Sequence, residues 1–323
     1  MRILVTGGYG FIGSKIVEML CKDHHVIVVD NEDTYGIMTT EELKKLYEWR
    51  TRNWDFKRVQ TITGDILDRL VCLKAFSHNP DIVIHLATYP RAKIVDNDPI
   101  LGIPKVINTT TNLLWHSEKF GVRKFVYVSS SMVYGDFDSN TVSEDSNKDP
   151  KEIYGSIKLA GEIISMGYMK RYGIDIRVVR PTAVYGPYDG NQRVLYKFIT
   201  RALKGEKLLV DGDGSMALDF TFVDDTAQGI YRVSTKEGIS GEIFNIARGN
   251  SETLSSAIDI ISNNIDGVKV EYREVPSYMP KRGTLDISKA KNDWSWTPKL
   301  SIEEGIDRTV KNLWNLRGET NDN

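Results

Sequence analysis

Short runs of branched apolar residues recur along the first half of the chain, at 2–6, 25–30, 81–86, 124–129 and 174–180, with a weaker one near 59–62. Several are apolar almost throughout, the pattern of strands covered on both faces. Between them the apolar spacing lengthens to a helical period, at 11–22, 99–120 and 154–172. Strands alternating with helices are joined by crossovers, and crossovers make strands parallel. The pattern therefore predicts an α/β fold with a doubly wound parallel sheet and helices on both faces. A charged connection after the second strand is expected to form a surface helix over 41–52, with Trp49 and Trp54 packing it down rather than meeting a partner.

Past Arg180 the texture changes. Pro181, Gly186, Pro187 and Gly190 interrupt the pattern, an amphipathic stretch follows at 192–203, and glycines at 205, 212, 214, 238, 241 and 249 divide the remainder into shorter pieces. Helices are expected at 253–265 and 302–316 and a loop at 276–283, all in a smaller carboxyl-terminal unit.

Composition narrows the function classes. The 42 Lys and Arg against 44 Asp and Glu leave a formal charge of -2 with no basic stripe, so nucleic acid is not an expected partner. No run of about 18 apolar residues exists, and no membrane span is expected. Cys21 and Cys72 match no metal or redox spacing. Met1 and Arg2 lead straight into the first strand without the pattern of a secretory leader, which suits a cytoplasmic enzyme.

Gly7, Gly10 and Gly13 stand at G-x-x-G-x-x-G spacing directly after an apolar strand and before a helical pattern. In that context the glycines allow a tight turn and a close backbone approach, and leave the helix amino terminus, with Phe11 and Ile12, for a pyrophosphate. The second strand ends at Asp30, followed by Asn31, where a carboxylate can accept both ribose hydroxyls of NAD and would repel a 2′-phosphate. Asp65 and Ile66 follow another strand and are placed near the adenine. His85, Leu86, Ala87 and Thr88 end the strand where a cofactor crosses an open sheet; His85 itself reads equally as structural or as a contact.

The reactive centre is read from Ser129-Ser130-Ser131, at the end of the strand beginning at Lys124, together with Tyr154 and Lys158. Four residues on a helix rise about 6 Å and share one face. Lys158 there can stabilise a tyrosinate and hold the nicotinamide ribose. Tyr154 can then exchange a proton with a sugar hydroxyl, and Ser130 can orient that oxygen. Tyr-to-Lys pairs at this spacing also occur as solvated helix faces; the glycine turn and serine-rich strand end favour the catalytic reading.

Taken together, these residues resemble the NAD-dependent nucleotide-sugar epimerase/dehydratase family of extended short-chain dehydrogenases/reductases, most like members of the UDP-glucose 4-epimerase type. The resemblance also rests on Asn108 ahead of a helical segment, on Val133-Tyr134-Gly135, on Arg180-Pro181 with Val184-Tyr185-Gly186-Pro187, and on Asp219-Phe220 with Val223-Asp224-Asp225. It implies a Rossmann-type NAD-binding domain over residues 1–180. Residues 181–323 would be mainly a nucleotide-sugar-binding domain, with segments crossing back. It implies cofactor contacts from Gly7, Gly10, Phe11, Ile12, Gly13, Asp30, Asn31, Asp65, Ile66, Leu86, Ala87, Thr88, Asn108, Tyr154 and Lys158. Substrate contacts would come from Ser130, Ser131, Tyr154, Arg193 and Arg282. No metal is implied, and a homodimer through the segments at 109–120 and 154–172 is.

Among the reactions of that family, dehydration is disfavoured here. The resembling dehydratases carry an Asp-Glu pair where this chain has Ser131 and Met132, and a thioether cannot replace an acid. The expected reaction is reversible C4 epimerisation through a transient 4-keto sugar. A 4-dehydrogenase or ketoreductase, and less so a non-catalytic NAD-responsive scaffold, remain alternatives. Ala183 replaces an expected Asn, and Leu218 an arginine that grips the diphosphate, so the base, the sugar and the stereocentre stay open.

Overall fold

The structure is a computed structural model that describes residues 1–33, 36, 38–89, 92–276 and 279–321, and the side chains of all of these except 315–321. Seven strands form one parallel sheet: β1 (Arg2–Thr6), β2 (His25–Asp30), β3 (Val59–Thr63), β4 (Ile82–His85), β5 (Lys124–Val128), β6 (Asp175–Pro181) and β7 (Ile243–Ile246). Their order is β7-β6-β5-β4-β1-β2-β3. Six strands match the expected apolar runs. The seventh, β7, lies among the glycine-divided pieces past Arg180 and is not among the expected strands.

The order reverses between β1 and β4, which fixes where a crevice opens beyond the carboxyl ends of the strands, as in Rossmann-type folds. Helices α1 (Phe11–Leu20), α2 (Thr40–Thr51), α3 (Arg69–Phe76), α4 (Ala92–Asn97), α5 (Pro99–Lys119) and α6 (Ile153–Tyr172) belong to the first half. Helices α7 (Val194–Leu203), α8 (Val223–Thr235), α9 (Leu254–Asn264), α10 (Ser288–Trp294) and α11 (Ile302–Asn321) follow. One core cluster joins β1 and β4 to α1 and α8, through Ile3, Val5, Ile16, Ala227 and Ile230. A second lies under the later helices, around Leu195, Phe198, Leu254, Ile258, Ile302 and Ile306.

Trp54 is buried and donates its indole N–H to the Ser14 carbonyl at 3.1 Å, while Trp49 meets the ring of Tyr188 at 5.5 Å. Both therefore hold α2 against the body, as their apolar area requires. Of the loop expected at 276–283, residues 277 and 278 lie outside those described; the others belong to no helix or strand. A short parallel pair, Thr284–Leu285 with Thr141–Val142, ties that loop's far end to the segment ahead of α6.

Candidate active site

A cavity of about 550 Å³ opens at the point where the strand order reverses. Its floor is the turn from β1 into α1. Gly7 holds φ +73°, a left-handed conformation that side chains resist, and a Cβ on Gly13 would stand 2.1 Å from the Gly7 carbonyl oxygen. Glycine at 13 is thus demanded by the turn itself and not by the sheet. Gly10 is the N-cap of α1, offers no side-chain cap, and no acidic residue occupies the first turn. The N–H groups of that turn face the cavity without competition, a cradle suited to an anion.

At one end of the cavity Asp30 receives the N–H of Tyr9 on one oxygen and that of Glu32 on the other, both at 3.0 Å. Burial pushes its carboxyl up, and the two backbone donors and Arg50 pull it back. Asp65 is paired with Lys105 and accepts the Leu67 N–H at 2.9 Å. A carboxylate fixed in this way has room for ribose hydroxyls and none for an added phosphate charge; glycine turn and carboxylate together fit NAD.

At the other end stand the serine turn and α6. Ser130 caps a single 3₁₀ turn over Ser131–Tyr134, accepting the Met132 N–H at 3.2 Å, so its own hydroxyl proton is left to donate toward the cavity. Ser131 is tied down instead: Arg282 donates to its hydroxyl at 2.5 Å and to its carbonyl at 3.2 Å. Lys158 donates to the Val128 carbonyl at the end of β5, 2.9 Å away, and its ammonium lies 5.9 Å from the centre of the Tyr154 ring. Burial pushes Lys158 down to about 7, against the pull of Glu162, and pushes Tyr154 up to about 12, with Arg193 opposing. The sequence names Lys158 as the cation beside the tyrosine; the structure adds Arg193, which Asp189 anchors at 2.7 Å.

Beneath the serine turn runs a buried polar network. Ser129 bonds Glu162 at 2.5 Å, Glu162 forks onto Arg180 at 2.9 and 2.7 Å, and Arg180 reaches the Tyr134 hydroxyl at 2.9 Å. Tyr134 in turn donates to Asn245 of β7 at 2.7 Å. The unexpected strand thus supports the reactive end of the site, and every member has its partner, which a buried network needs in order to be rigid.

Of the residues expected to contact cofactor or substrate, all but one line this cavity. The exception is Asn108, which is exposed on α5, while Lys105 and Thr109 of the same helix reach the cavity wall. A helix turns about 100° per residue, so 108 points well away from its neighbour 109, on the far side of 105 from it. His85 proves structural: its two ring nitrogens bond Thr6 at 2.8 Å and Thr110 at 3.1 Å, and burial holds it neutral, pushed down to about 3.

Sequence reasoning missed Arg50, which joins the Tyr9 carbonyl at 2.9 Å to the Tyr188 carbonyl at 2.6 Å. It also missed Glu152, two residues ahead of Tyr154 in the cavity wall; a glutamate at the edge of a predicted helix next to the candidate tyrosine was the available signal. Ala183 and Leu218, where the resembling enzymes carry polar groups, both line the cavity, and Ala183 holds a strained φ of +36°. Among the described residues no three His, Cys, Asp or Glu side chains gather as metal ligands, and no helix is long and apolar enough to cross a membrane.

Comparison with known proteins places this fold among relatives of known chemistry. The sequence is 33% identical over 316 residues to a UDP-glucuronate 4-epimerase of Thermodesulfobacterium geofontis, covering 95% of this chain and 94% of that one. The fold matches a UDP-glucose 4-epimerase of Thermotoga maritima solved with UDP-glucose, with TM-score 0.87 and 29% identity over 98% of this chain and 100% of that one. It matches equally a UDP-glucuronic acid 4-epimerase of Bacillus cereus solved with UDP-glucuronic acid and NAD, with TM-score 0.89 and 29% identity over the same shares. Residues 3–247, which span the glycine turn, the serine turn, the Tyr154-Lys158 pair and β7, match the profile of a single family. The chain belongs to the NAD dependent epimerase/dehydratase family.

Proposed function

We propose that the protein interconverts nucleotide sugars at C4 by way of a transient 4-keto sugar. The observation that carries this reading is the grouping of the Ser130 hydroxyl, with its proton unengaged, the Tyr154 phenol and the fixed Lys158 ammonium in one cavity wall, beside Met132 in place of an acid. The glycine turn and Asp30 would hold NAD, which would supply the hydride acceptor and donor for the sugar carbon.

Tyr154 takes the proton of the C4 hydroxyl as the ketone forms and returns it as the alcohol is restored. Burial alone holds the phenol protonated, so the tyrosinate depends on the neighbouring cations. Arg193 is the cation that acts on the phenol, and Lys158, pinned by Val128, furnishes a second in its protonated form. Ser130 donates to the same sugar oxygen and keeps it aimed at Tyr154. Return of hydrogen to the opposite face of the ketone inverts C4 with no net redox change. The remaining cofactor contacts follow the cavity from Asp30 and Asn31, through Phe11 and Ile12, to Leu86, Ala87 and Thr88, with Arg193 and Arg282 on the substrate side. We place the NAD-binding domain at residues 1–180 and the sugar-nucleotide domain mainly beyond it.

The test is a C4-deuterated nucleotide sugar followed by NMR and mass spectrometry. Return of the label to the inverted carbon without net NADH is expected, and Tyr154→Phe should keep its fold while turnover falls about 10²–10⁴-fold. Stoichiometric NADH with a 4-keto product and no epimer would reject the proposal in favour of a dehydrogenase.

A homodimer through α5 and α6 belongs to the same reading. These helices pack on one another, and Ile100, Ile103 and Trp115 of α5 and Ile163 of α6 are exposed on them. Exposed apolar side chains on neighbouring helices are the kind of surface that copies of a chain bury between them. Light scattering should give twice the mass of the 36.6 kDa chain, and Ile163→Glu should halve it; a monomeric wild type would sink the assignment.

A further inference from the structure

Glu152 is the residue that caps the start of α6, yet its carboxylate makes no capping bond. That duty falls to Asp96 of α4, whose oxygen accepts the Tyr154 N–H at 3.0 Å. Glu152 is thereby released from a structural role and turned into the cavity wall beside Ser131, Met132 and Arg282. One of its oxygens, Oε2, is buried with no hydrogen-bond partner among the described residues. A buried carboxylate oxygen lacking a donor is costly, and a ligand that brings the donor recovers the cost.

We propose that Glu152 selects the glycosyl group, its free oxygen accepting a hydrogen bond from a sugar hydroxyl, so that the site takes uncharged hexosyl nucleotides in preference to hexuronosyl ones. The proposal rests on the nucleotide-sugar reading above and names its substrate class. Charge supports it. Asp96 stands behind Glu152 and, after burial itself, is the main influence disfavouring its ionised form; Arg282 opposes both. The Arg282 guanidinium already donates two of its five N–H groups to the hydroxyl and carbonyl of Ser131. A uronate carboxylate entering here would meet two acidic groups and one partly engaged cation, whereas a hydroxyl would meet the acceptor it needs.

The experiment compares NAD-loaded wild type with Glu152→Gln. Calorimetry measures binding of the glucose and glucuronate conjugates of UDP, dTDP and GDP, and steady-state kinetics follow those that turn over. Wild type should bind the glucose conjugate of its preferred nucleotide at least about tenfold more tightly than the matching glucuronate. Glutamine keeps the size and removes the charge; it should narrow that ratio to within about threefold, through KM and with kcat little changed.

Equal binding of the two conjugates by wild type, or a preference for glucuronate, would overturn the proposal without recourse to any variant. So would a ratio unmoved by Glu152→Gln, or a collapse of kcat at unchanged binding, which would make Glu152 an acid or base. Selective binding without C4 inversion would defeat the epimerase reading and leave the role of Glu152 standing; failure of every conjugate to bind would defeat both.

Discussion

Replacing Lys158 by methionine should stabilise the cofactor-free protein at acidic pH while abolishing its activity. The ammonium is buried, and burial lowers its pKa from 10.5 to about 7. That difference corresponds to about 5 kcal/mol of destabilisation of the charged form in the folded chain. Below pH 7 the amine is charged in both folded and unfolded chains, and wild type bears the whole cost. From about pH 7 to 10.5 the folded chain gives up a proton that the unfolded chain keeps, so stability rises by about 1.4 kcal/mol per pH unit. The stability that comes with the neutral amine is therefore complete above 10.5 and is lost as pH falls through 7.

Methionine has similar reach and no charge, but it leaves the Val128 carbonyl without its donor at 2.9 Å, a loss of about 1–3 kcal/mol. The variant should then be more stable than wild type by about 2–4 kcal/mol at pH 6, the two should cross between about pH 8.5 and 10, and wild type should lead near pH 10.5. Urea unfolding of the stripped proteins, followed by tryptophan fluorescence at pH 6, 7.5, 9 and 10.5, measures this directly. A stability difference independent of pH, or a variant weaker than wild type at pH 6, would refute the reasoning. The expected result would show a side chain retained at the expense of stability, the pattern of a residue kept for its chemistry.

Two further outcomes follow from the glycine turn and its acid. Gly13→Ala places a methyl 2.1 Å from the Gly7 carbonyl oxygen, so the turn must open; a loss of about 3 kcal/mol or more in unfolding experiments and about 100-fold in NAD affinity is expected, and a near-native melting temperature would contradict it. Wild type should bind NAD more tightly than NADP, and Asp30→Asn, which keeps an acceptor for the Tyr9 N–H but removes the charge, should narrow the preference about tenfold; calorimetry showing NADP preferred tenfold by wild type would remove the cofactor assignment.

What the sequence alone determined is what short-range geometry controls. The turn from β1 into α1 was legible because three glycines, an apolar run and a helical period follow one another directly in the sequence, and the tight approach of Gly13 to Gly7 is internal to that segment. The Tyr154-Lys158 pair was legible for the same reason, since a helix fixes the relation of residues four apart whatever surrounds it. For Asn108 the argument needed rotational phase: a helix was expected there, but which of its faces met the cavity depended on how α5 lies across the sheet, and packing put Lys105 and Thr109 in the cavity wall.

Only the tertiary structure decided the rest, because those contacts join residues that the chain keeps far apart. Arg282 meets Ser131 across 151 positions, Arg50 meets Tyr188 across 138, and Tyr134 meets Asn245 across 111. No local period encodes such pairings. The same holds for β7, whose four residues take their place from the edge that β6 offers, and for Glu152, whose free oxygen exists only because Asp96, on another helix, caps α6 in its stead. Local spacing set the reacting groups in order along the backbone; the packing of distant segments decided which polar groups were satisfied within the protein and which were left to face the cavity.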